Sequence, residues 1–185
     1  MSTSALIVLV VGIVAIAVTA IMLYRRQKTR RLKSKFGPEY DRTLQKEGSS
    51  ARGEAILESR NKRVQKLNIR PLNSAECDHF ATEWRSVQEQ FVDDPRRAVA
   101  QADHLINEAL RLRGYPVGDF EQQAADLSVD YARVVEDYRS AHQVAMEDER
   151  GRATTEDLRR AMQHYRDLFE HVLDTHIIKH EEVRR

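Results

Sequence analysis

Two pairs of side chains have spacings that metal ligands use on helices. Glu76 and His79 form a Glu-x-x-His pair, an arrangement that di-iron helical bundles contain twice, but it occurs once here among inward stripes that are apolar or aromatic. His176 and His180 stand four residues apart, which can place both on one helix face, within a polar C-terminal segment. We interpret the first pair as a surface helix turn and the second as an adventitious metal binder, and we predict no metal site and no cofactor.

Cys77 is the single cysteine, which excludes an internal disulfide and a four-cysteine zinc site. Its position in a first helical turn permits a redox role, because a helix N-terminus can activate a thiol. The alternative is an unreactive thiol. The sequence contains neither a Gly-x-Ser-x-Gly elbow nor a phosphate-binding P-loop. We therefore predict no catalytic residues.

The most unusual local segment is Arg113-Gly114-Tyr115-Pro116-Val117-Gly118. Two glycines and a proline end one helix there, before Asp119 caps the next. Charged and aromatic side chains crowd around this turn, a mixture suited to protein contact. We predict a partner-binding site at Arg113, Tyr115 and Asp119. The alternative is a structural turn whose aromatic side chains cover the core.

The N-terminal stretch from Ala5 to Leu23 contains no ionisable residue. As a helix it would span roughly 28 Å, close to the hydrocarbon thickness of about 30 Å. It predicts a transmembrane anchor. A cleaved signal peptide is the alternative, but no positive charge precedes the apolar run, and the run continues beyond the small-residue cleavage site at Ala20.

Seven basic residues follow the apolar stretch with no acidic residue among them. They are Arg25, Arg26, Lys28, Arg30, Arg31, Lys33 and Lys35. The positive-inside rule then places the C-terminal domain in the cytoplasm, and the same side chains are predicted to contact anionic lipid headgroups at the membrane interface. A nucleic-acid-binding tail is the alternative, which the lack of an aromatic residue among these charges disfavours.

The charge is strongly divided along the chain. Residues 1–70 carry 15 basic and 5 acidic side chains, a net +10, whereas residues 71–185 carry 15 basic and 24 acidic side chains, a net −9. An acidic domain repels phosphates, so nucleic acid is not predicted as a partner.

Helical periodicity dominates the distal part. Phe80, Trp84, Val87 and Phe91 form one stripe, and the last helix has another in Leu158, Met162, Tyr165, Phe169 and Val172. Helix N-caps are expected at Asn73, Asp94, Asp119, either Ser128 or Asp130, and Thr154.

The predicted fold class is therefore all-α: one N-terminal transmembrane helix, a helical linker and an antiparallel bundle of about four helices. The predicted segments are a transmembrane anchor over 1–24, a basic juxtamembrane and charged helical linker over 25–70, a helical bundle domain over 71–175, and a polar tail over 176–185. Pro71 to Arg185 should fold alone.

Several short runs resemble a family of uncharacterised bacterial proteins. The runs are Phe36-Gly37-Pro38-Glu39-Tyr40-Asp41, Trp84 to Gln88, Phe91-Val92-Asp93-Asp94-Pro95, Arg113-Gly114-Tyr115-Pro116, Asp126-Leu127-Ser128-Val129 and Tyr165-Arg166-Asp167-Leu168-Phe169. Members of that family are membrane-anchored or described loosely as secreted, and they have no assigned activity. The resemblance implies an anchored helical protein and lends no catalytic residues.

These features predict a single-pass protein of the cell membrane, in which a tethered helical adaptor or scaffold module binds another protein. The alternative is an enzyme or a metal-dependent sensor. Its site would be built across the helical bundle from histidines and carboxylates.

Overall fold

The computed structural model describes the backbone of residues 3–174 and the side chains of residues 12–173. Over this range the chain forms eight α-helices and no strand, which confirms the all-α prediction. The helices are α1 (Thr3–Phe36), α2 (Pro38–Glu47), α3 (Ser50–Val64), α4 (Ser74–Asp93), α5 (Pro95–Arg113), α6 (Phe120–Leu127), α7 (Val135–Glu149) and α8 (Thr155–Asp174). The predicted polar tail over 176–185, with His176 and His180, lies outside the described residues.

The chain divides into two compact units, Met1–Glu58 and Ser59–Arg185. The division falls inside α3, which contributes its first part to one unit and its last turns to the other. The predicted bundle domain over 71–175 lies within the second unit.

Three helical segments meet in the first unit. Gly37 ends α1 with a positive φ of 47°, and its N–H donates to the carbonyl of Lys33 at 3.0 Å. Glu54 of α3 accepts hydrogen bonds from the Thr29 hydroxyl at 2.6 Å and from the Tyr40 hydroxyl at 3.0 Å. One carboxylate therefore links α1, α2 and α3.

The segment predicted to cross a membrane, Ala5–Leu23, lies in α1. Among the described residues, no helix is both long enough and sufficiently apolar to span a membrane. The structure does not support the predicted transmembrane helix.

The second unit is a helical bundle. α4 packs on α5, α5 packs on α8, and α8 packs on α7, while the short α6 lies against α7. Trp84 of α4 is 6% exposed, and its ring stacks on Phe169 of α8 with the ring centroids 4.6 Å apart. Both predicted stripes face this core, with Phe91 only partly buried.

Three helices of the second unit begin directly after the N-cap residues that were predicted for them. The Asn73 side chain accepts from the Glu76 N–H at 2.9 Å, and the Glu76 carboxylate accepts from the Asn73 N–H at 2.8 Å, which completes a capping box. Asp94 accepts from the Arg97 N–H at the start of α5. Asp119 caps α6 in the same way.

The start of α7 was predicted wrongly. The helix begins at Val135, several residues after the expected caps at Ser128 and Asp130, and residues between them form hydrogen-bonded turns. Both candidate caps have other partners: the Ser128 hydroxyl donates to the Ala125 carbonyl at 2.7 Å, and Asp130 accepts from the Tyr115 hydroxyl. The helix starts after these turns, with Val134 at its N-cap position.

Candidate functional site

Arg113, the first residue of the predicted partner-binding site, is buried in the second unit. Its side chain is only 3% exposed. The guanidinium donates from Nη1 to the carbonyl of Val172 at 2.8 Å and to the Tyr131 hydroxyl, and from Nε to the carbonyl of Arg70 at 3.3 Å. The Arg70 N–H in turn donates to the Arg113 carbonyl at 2.8 Å. Arg113 therefore joins three segments of the chain from inside.

Tyr115, the second residue of that site, is also 3% exposed. Its hydroxyl donates to Asp130 Oδ2 at 2.6 Å, and its ring centroid lies 6.3 Å from that of Tyr131. Burial, and then the hydrogen bond to Asp130, raise the pKa of Tyr115 far above its usual range. This side chain is a neutral anchor for the loop.

Asp119, the third residue, is exposed at the end of the same loop. Its carboxylate accepts from the backbone N–H groups of Glu121 and Gln122 at 3.0 and 3.3 Å. Leu112 and Pro116 are also exposed. The structure thus brings the three predicted residues into one loop, but it buries two of them and presents Asp119 to solvent.

The predicted membrane-interface residues lie along the second half of α1. Arg25, Arg26, Arg30, Arg31, Lys33 and Lys35 are exposed. Lys28 is half-buried and pairs with Glu58 at 3.0 Å. Directly before them, large apolar side chains of α1 are between 48% and 72% exposed: Ile13, Val14, Ile16, Val18, Ile21, Met22 and Leu23.

The Glu76 and His79 pair does not converge on a common site. The Glu76 carboxylate accepts two hydrogen bonds from the Arg70 guanidinium, at 2.7 and 2.8 Å, besides the capping bond from Asn73. The hydrogen bonds from Arg70, and to a smaller extent the one from Asn73, lower the pKa of Glu76 to about 2. His79 is exposed, and Cys77 is buried. This turn serves as a helix start.

A polar network inside the second unit was not predicted. Asp103 of α5 accepts from the Tyr165 hydroxyl at 2.9 Å and from the Asn107 amide at 3.1 Å, and Gln123 of α6 donates to Asn107 at 2.7 Å. Burial, and then the charge of Asp103, raise the pKa values of Tyr138 and Tyr165. The network links α5, α6 and α8.

A second unpredicted cluster lies between α7 and α8. Asp137, His164 and Asp167 each offer one potential ligand atom, and these atoms all lie within 4.8 Å of one another. His164 Nδ1 is 3.2 Å from Asp137 Oδ1. The spacing of His164 and Asp167 on one helix was the available signal in the sequence, but nothing local pairs them with Asp137.

No protein-family model, no curated protein and no solved structure matches this chain significantly. The resemblance to the bacterial membrane-anchored family therefore stays a prediction from the sequence.

Proposed function

We propose that this protein is a membrane-tethered helical module that binds another protein as an adaptor or scaffold, with its second unit on the cytoplasmic side. The observation that carries the proposal is the exposed apolar surface of α1 from Ile13 to Leu23, followed at once by the basic residues. A contiguous apolar surface of this kind marks a lipid or protein contact. Basic side chains near an anionic leaflet contribute about 1 kcal/mol each.

The membrane tether is tested by fractionating cells that express the full chain. We expect the chain to stay with the membranes after an alkaline carbonate wash, and a variant lacking residues 1–24 to appear in the soluble fraction. A second variant, with Arg25, Arg26, Arg30 and Arg31 changed to Gln, should remain in the membrane but lose its uniform orientation in a protease-protection assay. A full chain released by the wash would refute the tether.

The partner surface is proposed at the exposed part of the loop between α5 and α6. Because Arg113 and Tyr115 hold this loop from inside, Pro116 and Asp119 lie on a fixed backbone, next to Leu112 in the last turn of α5. A preorganised loop loses less conformational entropy on binding. Of the three residues predicted to bind a partner, Arg113 and Tyr115 thus act as buried anchors, and Asp119 is the contact residue.

The loop surface is tested with a triple variant, Leu112→Ser, Pro116→Ser and Asp119→Asn, in which Asn keeps the helix cap. Crosslinking in native membranes should recover the partner with the wild-type chain and at least about tenfold less with the variant, a loss of about 1.4 kcal/mol or more. Val92→Ser is the matched control, since Val92 is 82% exposed on α4. Equal recovery by all three chains would place the partner surface elsewhere.

A further inference from the structure

Asp137, His164 and Asp167 form a three-donor cluster contributed by two different helices. Asp137 lies in the first turn of α7, whereas His164 and Asp167 lie one turn apart on α8. Their potential ligand atoms lie within 4.8 Å of one another. Two carboxylates this close repel each other when both are charged, and a cation between them relieves that repulsion.

The backbone that carries these side chains is fixed by buried neighbours. Tyr138 follows Asp137 and Tyr165 follows His164, and both tyrosines are fully buried with their ring centroids 6.1 Å apart. The Tyr165 hydroxyl is further held by Asp103 of α5. The cluster is therefore built on rigid elements, as a metal site requires.

Access from solvent is provided by a groove between the same helices. This groove has a volume of about 430 Å³, and His164 lines it together with Arg160. The two arginines that line the groove both have carboxylate partners, since Arg160 pairs with Asp157 and Arg152 pairs with Glu147. The groove exposes His164, and Asp167 is itself exposed, so a cation can approach these two ligands from solvent.

We propose that Asp137, His164 and Asp167 bind one divalent transition-metal ion, with zinc as the metal that fits best. One imidazole nitrogen with two carboxylate oxygens suits zinc, while magnesium and calcium prefer sites made of oxygen alone. The separation of 3.2 Å between His164 Nδ1 and Asp137 Oδ1 allows both atoms to coordinate one ion at bond lengths of about 2.0–2.2 Å. Three protein ligands leave a coordination position for water. This site does not depend on the proposed adaptor function.

The experiment is a calorimetric titration of the purified full chain with zinc chloride. All chains carry His176→Ala and His180→Ala, which removes the two histidines whose spacing of four residues could bind zinc independently of the cluster. We expect one zinc ion per chain. His164→Ala, Asp137→Asn and Asp167→Asn should each weaken binding by at least about tenfold, since even residues outside the first coordination sphere typically contribute 10–100-fold.

The matched control is His104→Ala, which removes an exposed histidine paired with Glu108 on α5. It should leave zinc binding unchanged. Cobalt provides a second readout, because its visible absorption reports direct coordination and should disappear in the His164→Ala chain. Equal zinc affinity in the His164→Ala chain, or no binding to the starting chain, would overturn the site. An effect of His164→Ala without any effect of Asp137→Asn would also overturn it, because Asp137 would then be only an ion-pair partner.

Discussion

Gly114 is the glycine of the second unit with the least room for a side chain. Its φ of +98° lies in the left-handed region, and an added Cβ would come within 2.5 Å of the backbone oxygen of Asn68. Gly151 also has a positive φ, +69°, but nothing lies within 4 Å of its Cβ position. The two glycines therefore separate the effect of backbone conformation from the effect of crowding.

We expect Gly151→Ala to lower the free energy of unfolding by about 1 kcal/mol through backbone strain alone. Gly114→Ala adds a clash with backbone that cannot rotate away, so it should cost about 3 kcal/mol or more. Urea unfolding followed by circular dichroism measures both values. Similar losses for the two variants would contradict the close approach of Asn68.

Glu76 gives the capping box a dependence on pH. Its pKa is lowered to about 2, first by the hydrogen bonds from Arg70 and then by the one from Asn73. A carboxyl group with a pKa lower in the folded state than in the unfolded state stabilises the fold fully above the unfolded value, about 4.3. That stabilisation is lost as the pH falls from about 4.3 towards the folded value.

The melting temperature of the wild-type chain should therefore fall more steeply than that of Glu76→Gln between about pH 5 and pH 2. Glu147, Glu156 and Asp157 also have lowered pKa values, but they are present in both chains, so the difference isolates Glu76. Thermal melts at a series of pH values provide the comparison. Parallel curves for the two chains would contradict a special role of this carboxylate.

At the scale of helices, the last turns of α3 belong to the second unit. Arg63 Nε donates to Asp126 Oδ2 at 3.1 Å, and the Asp126 side chain is buried. Arg70, just beyond α3, binds both Arg113 and Glu76. A fragment that begins at Pro71, as the sequence suggested, lacks these partners and leaves the buried carboxylate of Asp126 without its cation.

We expect the fragment Ser59–Arg185 to be more stable than Pro71–Arg185 by roughly 1–3 kcal/mol, because the buried Asp126 carboxylate loses the hydrogen bond from the half-exposed Arg63. Arg63→Met in the longer fragment is the matched variant, and it should reproduce a large part of that loss with the chain length unchanged. Chemical denaturation of the three proteins measures the differences. Equal stability of the two fragments would show that the last turns of α3 contribute nothing to the second unit.

For the whole molecule, sequence reasoning predicted what short-range interactions determine. The caps at Asn73, Asp94 and Asp119 involve residues within three positions, so the corresponding helix starts were predicted correctly. The stripe containing Trp84 was predicted from periodicity alone, because burial on one helix face leaves a regular pattern.

Features that depend on helix packing could not be predicted. Asp137 contacts His164 only because α7 packs against α8. No local sequence pattern around either residue indicates that the two are neighbours. The burial of Arg113 and Tyr115 likewise depends on partners elsewhere in the chain, Val172 and Asp130. Charged and aromatic side chains in a loop look alike in the sequence whether they face a partner protein or the core.

The contacts of Arg113 have a consequence for the speed of folding. Its guanidinium reaches Arg70, 43 residues earlier, and Val172, 59 residues later. Each contact closes a loop of the unfolded chain, and the entropic cost of that closure rises with the logarithm of the loop length. A chain in which distant segments must meet folds more slowly than a chain held together by local contacts. We therefore expect the second unit to fold more slowly than a helical bundle of the same length in which each helix contacts only its neighbours in sequence.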